Sequence, residues 1–157
     1  MPMMMAPPPQ AEPLPLTVVG VDFRRASARQ RDRLVLADQE RRALATRLQA
    51  SGIGDGFASL DTCNRTEWIV SSANPHWASE VLRSQMIARN TPGENGAAEP
   101  HGDNGADDAG PALVPYVFVG EEAARHLFEV AAGLESFVVG EREIAAQLHR
   151  SLERSRA

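Results

Sequence analysis

Apolar and polar positions change period several times along the chain, and each change marks an element. Leu16 to Val21 is a short apolar run that predicts a strand, ended by Gly20 and Asp22. Asp38 predicts a helix cap for a helix reaching about Gln49, where Ser51-Gly52 stops it. Phe57 to Leu60 and Glu67 to Ser72 read as strands on either side of a polar loop. Asn74-Pro75 is a cap followed by a first-turn proline, and Trp77, Val81, Leu82 and Met86 then recur at helical spacing up to Arg89. Tyr116 to Val119 is a further strand. Glu121 to Ala132 predicts a helix with acids in its first turn, an apolar face of Ala123, Leu127, Val130 and Ala131, and an end at Gly133. Leu134 to Val139 reads as an apolar connector, and Gly140 opens a last helix.

Two stretches lack either period. Residues 1–15 carry proline at positions 7, 8, 9, 13 and 15, which removes donors and blocks helix, and predict a disordered leader. Residues 90–112 are rich in Gly, Asn, Asp, Pro and Ala and predict a flexible insert. No internal repeat is present, and 157 residues suffice for one domain with a core.

Composition removes several classes of function. All sixteen basic residues are arginine, so lysine Schiff-base chemistry and a phosphate-loop lysine are excluded. The net charge of −5 argues against a generally basic nucleic-acid coat. The run from Arg24 to Arg33 holds five arginines against one aspartate; by default it is a solvated helical face, and in context it could meet RNA backbone. A single cysteine forbids an internal disulfide. With no secretory signal and no run of membrane-spanning length, the expected location is the cytoplasm.

The chemistry concentrates in Asp61-Thr62-Cys63-Asn64-Arg65-Thr66-Glu67. A lone cysteine is by default a small buried hydrophobe. Here it is flanked by Asp61, Thr62, Asn64 and Arg65, at the end of a strand, with a cation two residues on. A cation favours thiolate, the reactive form, so Cys63 is a candidate nucleophile. Arg65 is by default a surface residue or a partner for Glu67; its guanidinium fork also suits a substrate carboxylate. His126, beside the apolar face of its helix, is either a packed histidine or an imidazole that orients or protonates a substrate oxygen. Gly52-Ile53-Gly54-Asp55-Gly56 follows a helix and precedes a strand, the reverse of a dinucleotide loop. The four histidines are scattered, and no metal cluster emerges.

Thr62-Cys63-Asn64-Arg65-Thr66-Glu67 resembles the active-site motif of glutamyl-tRNA reductases. The longer block from His126 to Glu141, reading His-Leu-Phe-Glu-Val-Ala-Ala-Gly-Leu-Glu-Ser-Phe-Val-Val-Gly-Glu, resembles that family's second motif in order and composition. Val18-Val19-Gly20-Val21-Asp22 fits its start. Phe23-Arg24 stands where the family usually has His-Lys, and Arg142-Glu143 where it usually has Pro-Gln. The resemblance covers residues 16–156 apart from the insert and implies a catalytic N-terminal domain. Cys63 would be the nucleophile, with His126 as catalytic partner. Thr62, Arg65, Ser136, Glu141 and Glu143 would bind substrate, with Arg65 on its side-chain carboxylate.

The implied substrate is glutamyl-tRNA. The implied reaction is thioester formation followed by reduction with NADPH to glutamate-1-semialdehyde, the first step of the C5 route to tetrapyrroles. NADPH would sit on a domain absent from this chain, as would the contacts that make the family dimeric. Partners would include a separate NADPH-domain chain or the next enzyme, an aminomutase. Elements and resemblance together predict an α+β fold: a small, mainly antiparallel sheet covered by helices, followed by a helical subdomain. Two other readings stay open: a non-catalytic module that binds tRNA or a partner, and a glutamyl-tRNA esterase without reductase activity.

Overall fold

The computed structural model describes residues 14–91, 111–135 and 143–155. In chain order the elements are β1 (Leu16–Asp22), α1 (Ala28–Leu34), α2 (Asp38–Ala50), β2 (Gly56–Asp61), β3 (Arg65–Ser71), α3 (Pro75–Asn90), β4 (Tyr116–Val119), α4 (Glu121–Ala131) and α5 (Glu143–Ser155). The strands form one sheet in the order β2-β3-β1-β4, with every neighbouring pair antiparallel. β1 and β2 therefore run the same way with β3 between them, and β3 and β4 run the same way with β1 between them. These are two interleaved β-α-β units, the ferredoxin-like arrangement, and the fold is α+β as the residue pattern predicts.

Alternation along the strands splits the core in two. Val19, Val21, Phe57, Trp68 and Val70 face Leu34 of α1, Leu44 and Leu48 of α2, and Ala78, Leu82 and Met86 of α3. Val18, Ala58, Leu60 and Ile69 face the other way, onto Ala123 and Val130 of α4 and Ile144 of α5. Each fully buried leucine contributes about 2 kcal/mol by leaving water, so helices on both faces are what holds so small a sheet. α5 also shields the outer edge of β2, where the Ser151 hydroxyl donates to the Ser59 carbonyl.

Local signals explain most boundaries. Asn74 accepts from the Trp77 amide and Pro75 opens α3, as expected. Gly52 (φ 67°) and Gly133 (φ 73°) adopt the left-handed turn just past α2 and α4. Ser27 and Gln30 cap α1 reciprocally, the Gln30 amide donating to Ser27 Oγ and the Ser27 amide to Gln30 Oε1.

Other expectations are corrected. Asp38 is the first residue of α2 and not its cap; Ala37 precedes it, and the Glu40 carboxylate reaches back to the Ala37 amide at 2.9 Å. Gly20 lies inside β1, paired on both sides. Trp77 is 48% exposed, because the register set by Pro75 turns Ala78, Leu82 and Met86 inward. α3 continues through Asn90, so the insert begins later than expected; Pro111 is already tied back by the Gln30 side chain at 2.9 Å. At the leader's end, Pro15 accepts from the Ser72 amide at 2.9 Å. Residues 1–13, 92–110 and 136–142 lie outside the described residues, and with them most of the leader, the insert and the connector. Among the described residues, no helix is long and apolar enough to cross a membrane.

Candidate active site

The second face of the sheet changes character along its strands. Ile69 is apolar, but the next two positions of β3 on that face are Glu67 and Arg65, both buried. Their neighbours across β1 and β4 decide what they can do. Glu67 pairs with Gly20, and Gly20 pairs in turn with Tyr116. A Cβ on Gly20 would stand 2.7 Å from Glu67 Cγ, 2.9 Å from the Thr66 carbonyl and 3.1 Å from Tyr116 Cε2. The bare glycine lets the two side chains lean together over β1, and the Tyr116 hydroxyl donates to Glu67 Oε1 at 2.6 Å.

The same oxygen receives two more groups. Arg65 Nη1 donates to it at 3.0 Å, and His126 Nε2 lies 2.8 Å away. A carboxylate can only accept, so His126 carries its proton on Nε2 and presents Nδ1 as its other nitrogen. Ala123, His126 and Val130 form the buried stripe of α4, which puts the imidazole within that stripe rather than beside it. The ring stacks on Phe118 at 4.4 Å and meets Tyr116 edge-on at 5.4 Å.

Burial pushes the Glu67 carboxyl up, but His126, Arg65 and Tyr116 together outweigh it and hold the group below the ordinary carboxylate range. Burial beside Glu67 pushes the Tyr116 phenol far up, so it remains a donor. Among the described residues, two buried atoms of this cluster have no partner, Arg65 Nε and Glu67 Oε2.

Arg65, Tyr116 and His126 line a cleft of about 430 Å³ together with Asp22, Arg24, Arg25 and Glu135, while Glu67 lies buried behind them. Arg24 joins Asp22 at 3.1 Å to Glu135 at 3.3 Å, and Arg25 lies over the Tyr116 ring at 5.6 Å. Arg65 Nη2 donates to the Glu135 backbone carbonyl, closing one end.

Cys63 occupies the tip of the β2–β3 hairpin. Thr62 shapes that tip: its amide donates to the Arg65 carbonyl at 2.9 Å, and its hydroxyl accepts from the amides of Asn64 and Arg65 at 3.2 and 3.1 Å. The thiol is free and exposed, and it does not line the cleft. Cys63 and Arg65 are not related by strand alternation, because the chain turns at Cys63 and β3 begins at Arg65.

Among the candidates named from the sequence, Arg65 and His126 come together through Glu67, Thr62 builds the turn and Cys63 stands on the hairpin tip. Ser136 and Glu141 lie outside the described residues. Glu143 opens α5, and its side chain is likewise outside them. The organising roles of Glu67, Gly20 and Tyr116 were missed; the available signal was that Tyr116 and Phe118 alternate on β4 as Glu67 and Ile69 do on β3. Among the described residues, no group of histidine, cysteine and carboxylate side chains is placed to hold a metal. The glycine turn at 52–56 joins α2 to β2, helix to strand, the reverse of a dinucleotide cradle.

Sheet and cleft define a small α+β domain that offers a ligand site between one face of the sheet and a covering helix, with a free thiol on the adjoining hairpin. The family model for "Glutamyl-tRNAGlu reductase, N-terminal domain" matches residues 19–157, and the chain belongs to that family. It is 32% identical over 153 residues to a glutamyl-tRNA reductase of Deinococcus radiodurans, covering 94% of this chain and 35% of that protein. A relative of the same name from Desulfovibrio desulfuricans is 35% identical over 148 residues, covering 89% and 29%. The solved structure of the glutamyl-tRNA reductase from Methanopyrus kandleri matches with a TM-score of 0.60 and 26% identity, over 90% of this chain and 28% of that one. The chain thus spans about a third of the length of the curated relatives it matches.

Proposed function

We propose that this chain is the thioester-forming domain of a glutamyl-tRNA reductase. The observation that carries the reading is the free thiol of Cys63 on a hairpin whose next strand delivers Arg65 into the cleft, inside a chain that belongs to the family. The thiolate attacks the ester carbonyl that joins glutamate to the tRNA 3′ end; a C–S bond forms, the C–O bond breaks, and the tRNA leaves with a free hydroxyl. Arg65 receives the glutamate side-chain carboxylate, for which its unpartnered Nε is a spare donor. A glutamine substrate would meet that donor with a neutral amide and lose the charge-assisted hydrogen bond, which is the basis for rejection. His126, held by Glu67, orients or protonates the substrate oxygen.

In this reading the binding of NADPH and the reduction to glutamate-1-semialdehyde belong to another domain or chain. Supplied with glutamyl-tRNA alone, the domain then behaves as a slow esterase, as water hydrolyses the thioester. The reaction stands at the entry to tetrapyrrole synthesis in the cytoplasm, with glutamyl-tRNA as substrate and an aminomutase as candidate next partner.

Single-turnover labelling tests this reading. The chain is mixed with tRNA carrying labelled glutamate, quenched in acid, and the Cys63 peptide is weighed by mass spectrometry. The expected result is a hydroxylamine-sensitive glutamyl adduct, absent from Cys63→Ser. Binding of tRNA without any adduct would favour a non-catalytic module.

A further inference from the structure

The cation that serves the Cys63 thiol is not the one two residues away. Arg65 is neutralised by Glu67 at 3.0 Å, with that carboxylate buried beside it. Arg31, on α1, is different. Its guanidinium is buried, and its hydrogen-bond partners are two backbone carbonyls: Ala26, from Nη1 at 2.6 Å, and Cys63 itself, from Nη2 at 2.9 Å. Among the described residues it pairs with no carboxylate. A buried guanidinium bonded to neutral carbonyls keeps its full positive field, and here that field acts on the peptide carrying the thiol.

The surroundings make Arg31 well placed for this. The tip is fixed from below at two successive carbonyls, Cys63 by Arg31 and Asn64 by the Phe23 amide at 2.8 Å. Thr66 Oγ1 also reaches the Arg31 carbonyl at 3.5 Å, tying α1 to β3. Several other charges on the elements around the tip are mutually engaged. Asp22 pairs with Arg24, and Arg65 with Glu67, which also holds His126; Glu135 pairs with Arg24; Asp61 accepts from Ser59 at 3.0 Å. We infer that Arg31 is the positioning residue of the nucleophile: it anchors the Cys63 carbonyl, sets the attitude of the hairpin tip, and stabilises the thiolate with its unneutralised charge. This rests on Cys63 being the nucleophile proposed above.

The test is the pH profile of alkylation. Cys63 is the only cysteine in the chain, so the iodoacetamide rate reports its thiolate fraction without tRNA. Arg31→Gln is expected to raise the midpoint of that profile by about one pH unit, the lower end of what a nearby opposite charge does. Arg31→Lys, which keeps the charge, is expected to hold it within about 0.3 of wild type, and Arg65→Gln to leave it in place. If Arg31→Gln does not fold, Arg31→Met, which keeps the stem and removes the charge, decides: a midpoint raised by about one pH unit supports the inference, and an unmoved midpoint overturns it. Folded Arg31→Gln with a wild-type midpoint overturns it as well. The readout is independent of glutamyl transfer, so a chain that shows the Arg31 dependence but forms no glutamyl adduct refutes the proposed function and leaves Arg31's effect standing.

Discussion

Glu67 carries three partners on one oxygen and none on the other. A buried carboxylate in that state ties its neighbours to itself, because removing its charge strands a cation. Glu67→Gln leaves the Arg65 guanidinium buried without a counter-charge and is expected to cost about 3 kcal/mol, measured by urea unfolding. Gly20 supports the same cluster by being nothing more than backbone. A methyl group there must push Glu67 and Tyr116 apart, so Gly20→Ala is expected to cost about 1–3 kcal/mol, the range for overpacking. It should also weaken glutamyl adduct formation more than a substitution of equal cost in the opposite core, such as one at Leu82. Equal losses from the two, at matched stability, would show that the Glu67–Tyr116 contact does not serve the site.

α5 turns an exposed strand edge into an interior one. β2 has β3 on one side only, and on the other side Ser151 bonds the Ser59 carbonyl while Ile144 enters the second core. Ser151→Ala removes the side-chain partner of that carbonyl and is expected to cost about 1 kcal/mol; Ile144→Ala, through its cavity, about 2–4 kcal/mol. Hydrogen exchange of the β2 amides should rise in both variants before the α3 amides change, because α3 packs on the opposite face. Elements of this kind differ in how far they could be read from the chain. β4, the Asn74-Pro75 start of α3 and the glycine stops after α2 and α4 were legible because their causes are local: a period, a cap, a left-handed turn. Gly20 was misread as an end because its reason lies in the side chains of two other strands. Trp77 fits the helical spacing of Val81, Leu82 and Met86, yet it is exposed because the register set by Pro75 turns Ala78, Leu82 and Met86 inward. The Arg24–Arg33 run reads as a solvated helical face, but the helix begins only at Ala28, and burial of Arg31 under the Cys63 hairpin is a tertiary fact with no local signature. The motif around Cys63 pointed to a candidate nucleophile and to Arg65, yet not to Glu67 binding Arg65 and His126 into one unit.

Two carboxyls on opposite sides of the sheet's chemistry give the folded chain a pH response with opposing slopes. Glu67 is held below its ordinary value of 4.5, the combined pull of His126, Arg65 and Tyr116 exceeding the penalty of burial. A depressed carboxyl contributes stability that is present above the unfolded value and lost as pH falls through the folded one. Asp61 is held above its ordinary value of 3.8, chiefly by burial, against the Ser59 hydrogen bond and the charges of Arg154 and Arg41; its Oδ1 has no partner. A raised carboxyl contributes below the unfolded value and loses that contribution as pH rises through the folded one. Wild type should therefore exceed Glu67→Gln in stability at pH 7 and lose that margin on acidification below about pH 4.5, with the loss continuing below it. Asp61→Asn should run the other way, with little difference near pH 3.5 and a gain of up to about 1 kcal/mol at pH 7. Urea midpoints of the three proteins at several pH values check both slopes together. Parallel curves for wild type and Glu67→Gln would mean that the cluster does not keep Glu67 ionised. An Asp61→Asn variant less stable than wild type at pH 7 would mean that Arg41 and Arg154 outweigh burial.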